Sequence, residues 1–170
     1  FLLDLHNPSI PGFFSIATYH LSAQKLFLDY LREENLLTNA VVVSPDFGGL
    51  KRARNFAEQL SLPLLNIDKS RDLKTGVVTA HAIHGGEVAG HDAILFDDVI
   101  VSGKTVAQTA ALLKEQGAKQ VLFLATHGIF CDNGLEVIEQ SQVDRVVISD
   151  SIMHDEKSSK LTQLPLATLL

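Results

Sequence analysis

The sequence has 170 residues, of which 46% are hydrophobic and 20% charged, enough for one globular domain with a substantial core. Its formal net charge of -6 disfavours a nucleic-acid partner, because domains that bind nucleic acids usually present a basic face. The single cysteine, Cys131, permits no internal disulfide, which favours a reducing compartment such as the cytoplasm. No apolar run is long enough to span a membrane, so we expect no membrane contact.

Apolar residues at helical and strand spacing alternate along the chain. A first helix is expected after Ser22, which we predict as its N-cap, and others at residues 50–60 and 106–113, the last ended by Gly117. Strands are predicted at residues 40–43, 63–67, 93–96, 121–125 and 145–148. This alternation is typical of a parallel sheet covered by helices. Residues 69–90 interrupt it with an irregular segment that predicts a flap or hairpin.

Polar segments follow the predicted strands. They are residues 4–6, 44–49, 68–71 and 97–105. Because ligands bind beyond the carboxyl ends of strands in such sheets, topology predicts that these segments meet in one region.

The most informative segment is residues 94–105, which read ILFDDVIVSGKT. An apolar strand is expected to stop at the adjacent carboxylates of Asp97 and Asp98. A short loop at the start of a helix follows, made of Ser102, Gly103, Lys104 and Thr105. Its free backbone N–H groups, its hydroxyls and the helix dipole suit a phosphate monoester, which the acidic pair would repel. The pair suits hydroxyl groups or a magnesium-bound ligand, so the segment predicts a sugar-phosphate site.

The same segment has two other interpretations. The end of a nucleotide-binding P-loop requires a second glycine five positions before Gly103, and position 98 is an aspartate, which excludes it. A solvated acidic turn is the simpler alternative, but the sequence SGKT at a helix start favours a binding site.

Residues 94–105 resemble the phosphoribosyl-pyrophosphate (PRPP) motif of type I phosphoribosyltransferases and of PRPP synthetases, the ribose-phosphate pyrophosphokinases. Residues 41–53, VVVSPDFGGLKRA, resemble the pyrophosphate loop of the synthetases. Without the resemblance, two interpretations of this loop are equally good. Its two glycines could simply permit a tight turn, or they could let the backbone approach a ligand closely. The resemblance implies that Asp46, Gly48 and Gly49 lie against the diphosphate and its metal.

Two cations, Lys69 and Arg71, stand at the start of the irregular segment. In isolation they read more readily as a solvated charge cluster. PRPP synthetases carry a lysine-and-arginine pair at the base of their catalytic flexible loop, and the resemblance implies that Lys69 and Arg71 stabilise the transferred group. Ser70 replaces the family's middle arginine, and Asp72 replaces the proline that usually follows.

Residues 4–6 (DLH) and 12–14 (GFF) resemble a family signature in which the histidine meets magnesium and ATP. The resemblance implies nucleotide and metal binding by His6, although a lone histidine at a strand end is more often structural. The departures from the signature are Ser9, where the family has glutamine, and Ser15 and Tyr19, where it often has aspartates.

Residues 125–128 (ATHG) resemble another family segment, and the resemblance implies that His127 lines the nucleotide pocket, across a subunit boundary. As an isolated histidine it reads equally well as a capping group.

The resemblance extends over residues 3–152. It implies a type I phosphoribosyltransferase-like fold, an α/β parallel twisted sheet flanked by helices and carrying a flexible flap. It further implies that residues 1–170 form one domain, the C-terminal part of a longer two-domain enzyme.

The implied reaction transfers diphosphate from ATP to ribose 5-phosphate and gives PRPP and AMP. The resemblance implies Mg²⁺ as the cofactor, held by His6 and Asp46, and a homo-oligomer.

Two departures keep alternatives open. Val101 stands where the synthetase motif has a third aspartate, and Lys104 where it usually has glycine or alanine. One alternative is a salvage phosphoribosyltransferase that uses PRPP, which the synthetase-type segments DLH, SPDFGG and KSR weaken. The other is a non-catalytic regulatory homologue, which Lys69 and Arg71 argue against.

Overall fold

The computed structural model describes residues 1–71, 78–155 and 158–169, with the side chains of residues 69–71, 78–81 and 168 outside the description. In chain order the elements are β1 (Leu2–Leu3), β2 (His20–Leu21), α1 (Gln24–Glu33), β3 (Ala40–Ser44), α2 (Leu50–Leu60), β4 (Leu64–Arg71), β5 (Val78–His84), β6 (Asp92–Ile100), α3 (Lys104–Glu115), β7 (Gln120–Gly128), α4 (Gly134–Gln140), β8 (Arg145–Ser149) and β9 (Leu161–Leu164). Two short 3-10 helices cover Ile10–Phe13 and Leu166–Leu169.

Seven strands form one sheet in the order β5-β4-β3-β6-β7-β8-β9, and a separate two-stranded pair joins β1 to β2. Neighbours in the large sheet are parallel, except that β5 runs antiparallel to β4. The predicted α/β fold with a mostly parallel sheet is therefore confirmed. Within the segment predicted as irregular, residues 69–71 belong to β4 and residues 78–84 form β5, and the two strands pair antiparallel. Residues 72–77, on which the predicted flap falls, lie outside the described residues.

Both faces of the sheet are buried, which explains why the strands read as nearly continuous apolar runs. On β3, Val41 and Val43 belong to one core cluster, whereas Val42 belongs to the other. Helices α3 and α4 cover the first cluster, and α1 and α2 cover the second. Because helices cover both faces, the edge of the sheet at the carboxyl ends of the strands is lined by connecting loops.

The strand order reverses between β3 and β6. Helix α2 leads from β3 to β4 on one side, and α3 leads from β6 to β7 on the other. The loop after β3 (residues 45–49) and the loop after β6 (residues 101–103) therefore flank a topological switch point, the usual ligand crevice of open α/β sheets.

The sequence predicts that β6 stops at the acidic pair, but the strand continues beyond it. It continues to Ile100, because β7 also continues and offers partners: Asp97 pairs with Ala125 and Ile100 with Gly128. The acidic pair thus lies on the last part of a paired strand.

One further expectation needs correction. The N-cap of α1 is Ala23 rather than Ser22, and the Ala23 N–H donates to the Asp4 carboxylate over 2.7 Å. Two elements were not predicted: β9, which pairs with β8 in parallel, and α4, which has only seven residues.

Among the described residues no helix is both long and apolar enough to cross a membrane.

Candidate functional site

A cavity of about 180 Å³ lies at the switch point. Asp46 from the loop after β3 and Asp97 from β6 line it. Ser102, Gly103 and Thr105 line it from the loop after β6 and the first turn of α3. Five residues that the sequence predicted as site residues therefore share one cavity, although Asp46 lies about 50 positions before the other four in the chain.

The acidic pair is bound by a cation from α2. Arg52 Nη1 contacts Oδ1 of Asp97 and also Oδ1 of Asp98, the latter at 2.8 Å. The other oxygen of Asp98 accepts a hydrogen bond from His6 Nδ1 at 2.7 Å. The Asp98 side chain is 3% exposed and that of Asp97 is 28% exposed, so the two carboxylates are not equivalent.

The two carboxyl groups differ in pKa. Burial raises the pKa of Asp97 to about 6, the hydrogen bond with Asp98 acts in the same direction, and the Arg52 charge opposes both. Burial would also raise the pKa of Asp98, but the hydrogen bonds with Asp97 and His6 and the charge of Arg52 outweigh it and lower that pKa. The pair therefore holds one firmly ionised group and one that titrates close to neutral pH.

Arg52 is a site residue that sequence reasoning missed. It occupies the third position of α2, directly after the glycine-containing loop. The sequence did contain a signal for this role, because Arg52 is a cation in the first turn of a helix whose preceding loop was predicted to lie near the acidic pair. The contact itself joins residues 45 positions apart, which no local pattern reveals.

The loop after β6 has a conformation that glycine permits. Gly103 has a φ of +71°, and a Cβ at this position would lie 3.0 Å from the carbonyl oxygen of Gly134. No side chain caps the start of α3 at Gly103, and Lys104 and Thr105 are exposed. The first turn of α3 thus has backbone N–H groups and a hydroxyl available for an anion.

The segment after β7 braces this loop. The Ile129 N–H donates to the carbonyl of Ile100 over 2.8 Å, and the Cys131 N–H donates to that of Val101 over 2.9 Å. Phe130, in the same segment, has a φ of +51°, which is strained for a residue other than glycine. These contacts fix the backbone at the end of β6, directly before residues 102–105, which we call the anion loop.

The loop after β3 is organised around Asp46. The Gly49 N–H donates to Asp46 Oδ1 over 2.8 Å, and the Ser44 hydroxyl donates to the Asp46 carbonyl over 2.7 Å. A Cβ at Gly48 would lie 3.3 Å from Asp46 Oδ1, so a glycine here leaves room for the carboxylate. This helix start therefore already carries a negative charge.

The N-terminal segment is anchored to β7 by Asp4. One Asp4 oxygen, Oδ2, accepts hydrogen bonds from the Ala23 N–H and from the Thr126 hydroxyl, both over 2.7 Å. This anchor places His6 beside Asp98. The sequence predicted a role for His6 in the site but not its contact with Asp98.

His127 uses both ring nitrogens within the protein. Nδ1 lies 2.9 Å from the Ser151 hydroxyl, and Nε2 lies 3.0 Å from the carbonyl oxygen of Leu3. The histidine thereby joins β7 to β1 and to the segment after β8. Its role in nucleotide binding stays a prediction.

Lys69 and Arg71 belong to β4, where their backbones pair with Ala80 and Val78 of β5. Their side chains lie outside the described residues, so their catalytic role also stays a prediction.

The donor atoms of the cavity suit magnesium bound together with a phosphorylated ligand. Asp46 and Asp97 supply carboxylate oxygens, and Mg²⁺ commonly takes one or two protein carboxylates with waters and substrate phosphates. Within the described residues, no group of three or more His, Cys, Asp or Glu side chains could hold a metal ion. A magnesium ion held by Asp46 and Asp97 would take further oxygens from water and from a bound phosphate.

Three comparisons relate the chain to known proteins. A family model described as the phosphoribosyl synthetase-associated domain matches residues 81–170. The ribose-phosphate pyrophosphokinase of Thermosipho africanus is 38% identical over 169 residues, which cover 99% of this chain and 53% of that protein. The crystal structure of phosphoribosylpyrophosphate synthetase from Mycobacterium smegmatis matches with a TM-score of 0.84 and 35% identity, over 98% of this chain and 54% of that one.

A purine phosphoribosyltransferase from Pyrococcus horikoshii, 20% identical over 83% of this chain and 84% of its own, shares the fold with a TM-score of 0.52. The chain spans about half the length of the curated relatives it matches. These similarities confirm the resemblance found in the motifs.

Proposed function

The chain belongs to the family of the phosphoribosyl synthetase-associated domain, and on this premise we propose that it is the ribose-phosphate-binding part of a ribose-phosphate pyrophosphokinase. The reaction transfers the terminal diphosphate of ATP to the anomeric hydroxyl of ribose 5-phosphate and yields PRPP and AMP. The name of its curated relatives supports this proposal, as does the placement of the motif residues at one cavity.

The observation that carries the proposal is the pairing of an uncapped helix start with an acidic pair of which Asp97 lines the cavity. Asp97 and Asp98 form the ribose subsite, in which the cavity-lining Asp97 accepts hydrogen bonds from the sugar hydroxyls, and the loop formed by residues 102–105 holds the 5-phosphate. A cavity of about 180 Å³ is smaller than the roughly 300 Å³ at which pockets for drug-sized ligands begin, which fits one sugar phosphate.

The chemistry needs positioning and charge neutralisation more than covalent catalysis. Asp46 and the glycines of its loop lie against the diphosphate, and Lys69 and Arg71 stabilise the group in transfer. Bound Mg²⁺ would supply positive charge to the phosphates; Asp46 and Asp97 of the cavity would hold it, and His6, the other ligand proposed from the motif, lies beside Asp98. His6 and His127 contact the nucleotide.

We further propose that the enzyme works in the cytoplasm as a homo-oligomer. A cysteine count of one fits a reducing compartment. The nucleotide pocket assigned to His127 crosses a subunit boundary, which requires a second copy.

A second candidate is a regulatory homologue without activity. Its support is Val101, which is 49% exposed beside the anion loop and has no group that binds a metal or accepts a proton.

The decisive experiment is a coupled assay for AMP release by the full-length protein with ATP, ribose 5-phosphate and Mg²⁺. We expect AMP release that depends on ribose 5-phosphate. No release at any magnesium or phosphate concentration would reject the enzyme in favour of the regulatory homologue. Consumption of PRPP with a nucleobase and without ATP would instead identify a salvage phosphoribosyltransferase.

A further inference from the structure

Arg52 reaches the acidic pair from the helix that covers one face of the sheet. Its neighbour Ala53 and residue Phe56 pack into the core on that face. Successive side chains of a strand point to opposite faces, so Asp97 and Asp98 are set to diverge. A single nitrogen of Arg52 nevertheless contacts an oxygen of each carboxylate.

We propose that Arg52 is a positioning residue of the ribose subsite, which ties the cavity-lining carboxylate of Asp97 to the buried carboxylate of Asp98 and so holds Asp97 where it accepts hydrogen bonds from the sugar hydroxyls. The inference rests on the proposed function and deepens it. Arg52 itself acts through the two aspartates.

The charges explain why a cation is needed there. Two carboxylates this close repel each other, and Asp98 is almost completely buried, so an unpaired charge on it would be costly. His6 does not replace Arg52, because it contacts the other oxygen of Asp98 and is itself 81% exposed. Its side chain therefore compensates one carboxylate, whereas Arg52 compensates both.

The contacts of Arg52 also leave Asp97 able to bind a ligand. They use Oδ1 of that carboxylate, and each carboxylate oxygen can accept more than one hydrogen bond. Asp97 additionally lines the cavity, so its carboxylate is held at the place that a sugar would occupy.

The test compares two probes, ribose 5-phosphate and inorganic phosphate, by titration calorimetry on the full-length protein. Arg52→Ala and Arg52→Gln should weaken ribose 5-phosphate binding roughly tenfold, equivalent to about 1.4 kcal/mol. Both should bind inorganic phosphate as the native protein does, because the anion loop is unchanged. Arg52→Lys keeps the charge and should lose less, and Arg54→Ala, which removes an exposed cation from the same helix, should lose nothing.

The outcomes separate this inference from the proposed function. Native-like binding of ribose 5-phosphate by Arg52→Ala would overturn the inference alone. An equal loss for both probes would also overturn it, because it would indicate general damage to the site. If the native protein does not bind ribose 5-phosphate, the proposed function fails and the inference fails with it. If Arg52→Ala does not fold, equal affinities in Arg52→Gln and Arg52→Lys would overturn the inference, whereas weaker binding by Arg52→Gln supports it.

Discussion

The loop after β3 and the loop after β6 lie at the same switch point, and each leads into a helix, but they differ in charge. Neither helix start has a side-chain cap, but at the first Asp46 accepts a hydrogen bond from the N–H of Gly49, the N-cap residue, so a carboxylate lies beside the helix start. At the second, Ser102 and Thr105, which carry hydroxyls, flank Gly103 and line the cavity.

In sequence the two sites look alike, since each is a glycine-containing loop between a strand and a helix. Their difference in charge indicates that they bind phosphate in different ways. The loop after β6 suits direct contact with an anion. The loop after β3 repels an anion unless a cation accompanies it, either a metal ion or a nearby side chain. This difference supports the proposal that the loop after β6 binds the sugar phosphate and the loop after β3 binds a metal-bound diphosphate.

The largest expected effect concerns the cations that would serve the loop after β3. Changing Lys69 or Arg71 to Ala in the full-length enzyme should lower turnover roughly 10³-fold, as the loss of a cation that stabilises a transferring phosphoryl group typically does. Ribose 5-phosphate affinity should stay close to native, because the loop after β6 is untouched. Steady-state AMP release and titration calorimetry measure the two quantities.

The opposite pattern, a large loss of ribose 5-phosphate affinity with normal turnover, would place Lys69 and Arg71 at the sugar phosphate and contradict the proposed roles of the two loops. Lys51→Ala is a suitable control, because it removes an exposed cation close to the loop after β3.

The sequence was sufficient for the parts of this site that are local. The anion loop, its Gly103 and the loop around Asp46 each follow from a strand, a turn residue and a helix start that are adjacent in the chain. The repeated β–α order also placed them at one edge of the sheet. Five of the predicted residues consequently line one cavity.

The rest depended on contacts between distant residues. His6 meets Asp98 across 92 positions, and Arg52 meets Asp97 across 45 positions. The extension of β6 to Ile100 depended on pairing with β7 rather than on its own residues. Tertiary contacts of this kind have no period or motif that a single sequence displays.

A medium-sized effect should distinguish the two loops directly. Thr105→Ala should weaken binding of ribose 5-phosphate, and of inorganic phosphate without magnesium, by roughly tenfold, since it removes one hydroxyl donor to an ionised group. Asp46→Asn should leave both affinities unchanged and should instead raise the magnesium concentration needed for turnover.

Titration calorimetry with Thr38→Ala, an exposed threonine before β3, provides the control. Unchanged phosphate affinity in Thr105→Ala would mean that the loop after β6 is not the anion site.

A smaller effect follows from the raised pKa of Asp97. At pH values between 3.8, the ordinary pKa of an aspartate, and about 6, the pKa of Asp97 in the folded protein, Asp97 is protonated to a greater extent in the folded protein than in the unfolded chain. Stability from this group is therefore full below pH 3.8 and is lost as the pH rises through about 6. Because the side chain is partly exposed, we expect the loss to be on the order of 1 kcal/mol.

Urea unfolding at several pH values measures this, with Asp97→Asn as the comparison. The asparagine variant should lack the decline in unfolding free energy between pH 4 and 6 that the native protein shows. Equal pH dependence in both proteins would contradict a raised pKa at Asp97.

The smallest expected effect is that of Val101→Asp, at the junction between β6 and the anion loop. The valine side chain is 49% exposed, and the backbone carbonyl of Val101 already accepts the Cys131 N–H, so an aspartate fits here without changing the fold. The added carboxylate supplies a metal ligand next to Asp97 but also places negative charge close to the 5-phosphate. These effects oppose each other, and we expect magnesium-dependent PRPP formation to rise a little or to stay nearly the same. Val101→Asn, similar in size to the aspartate and neutral, separates charge from shape. If activity appears only in Val101→Asp, the native chain is a degenerate homologue, because the charges of Asp46, Asp97 and Asp98 would then be insufficient for catalysis.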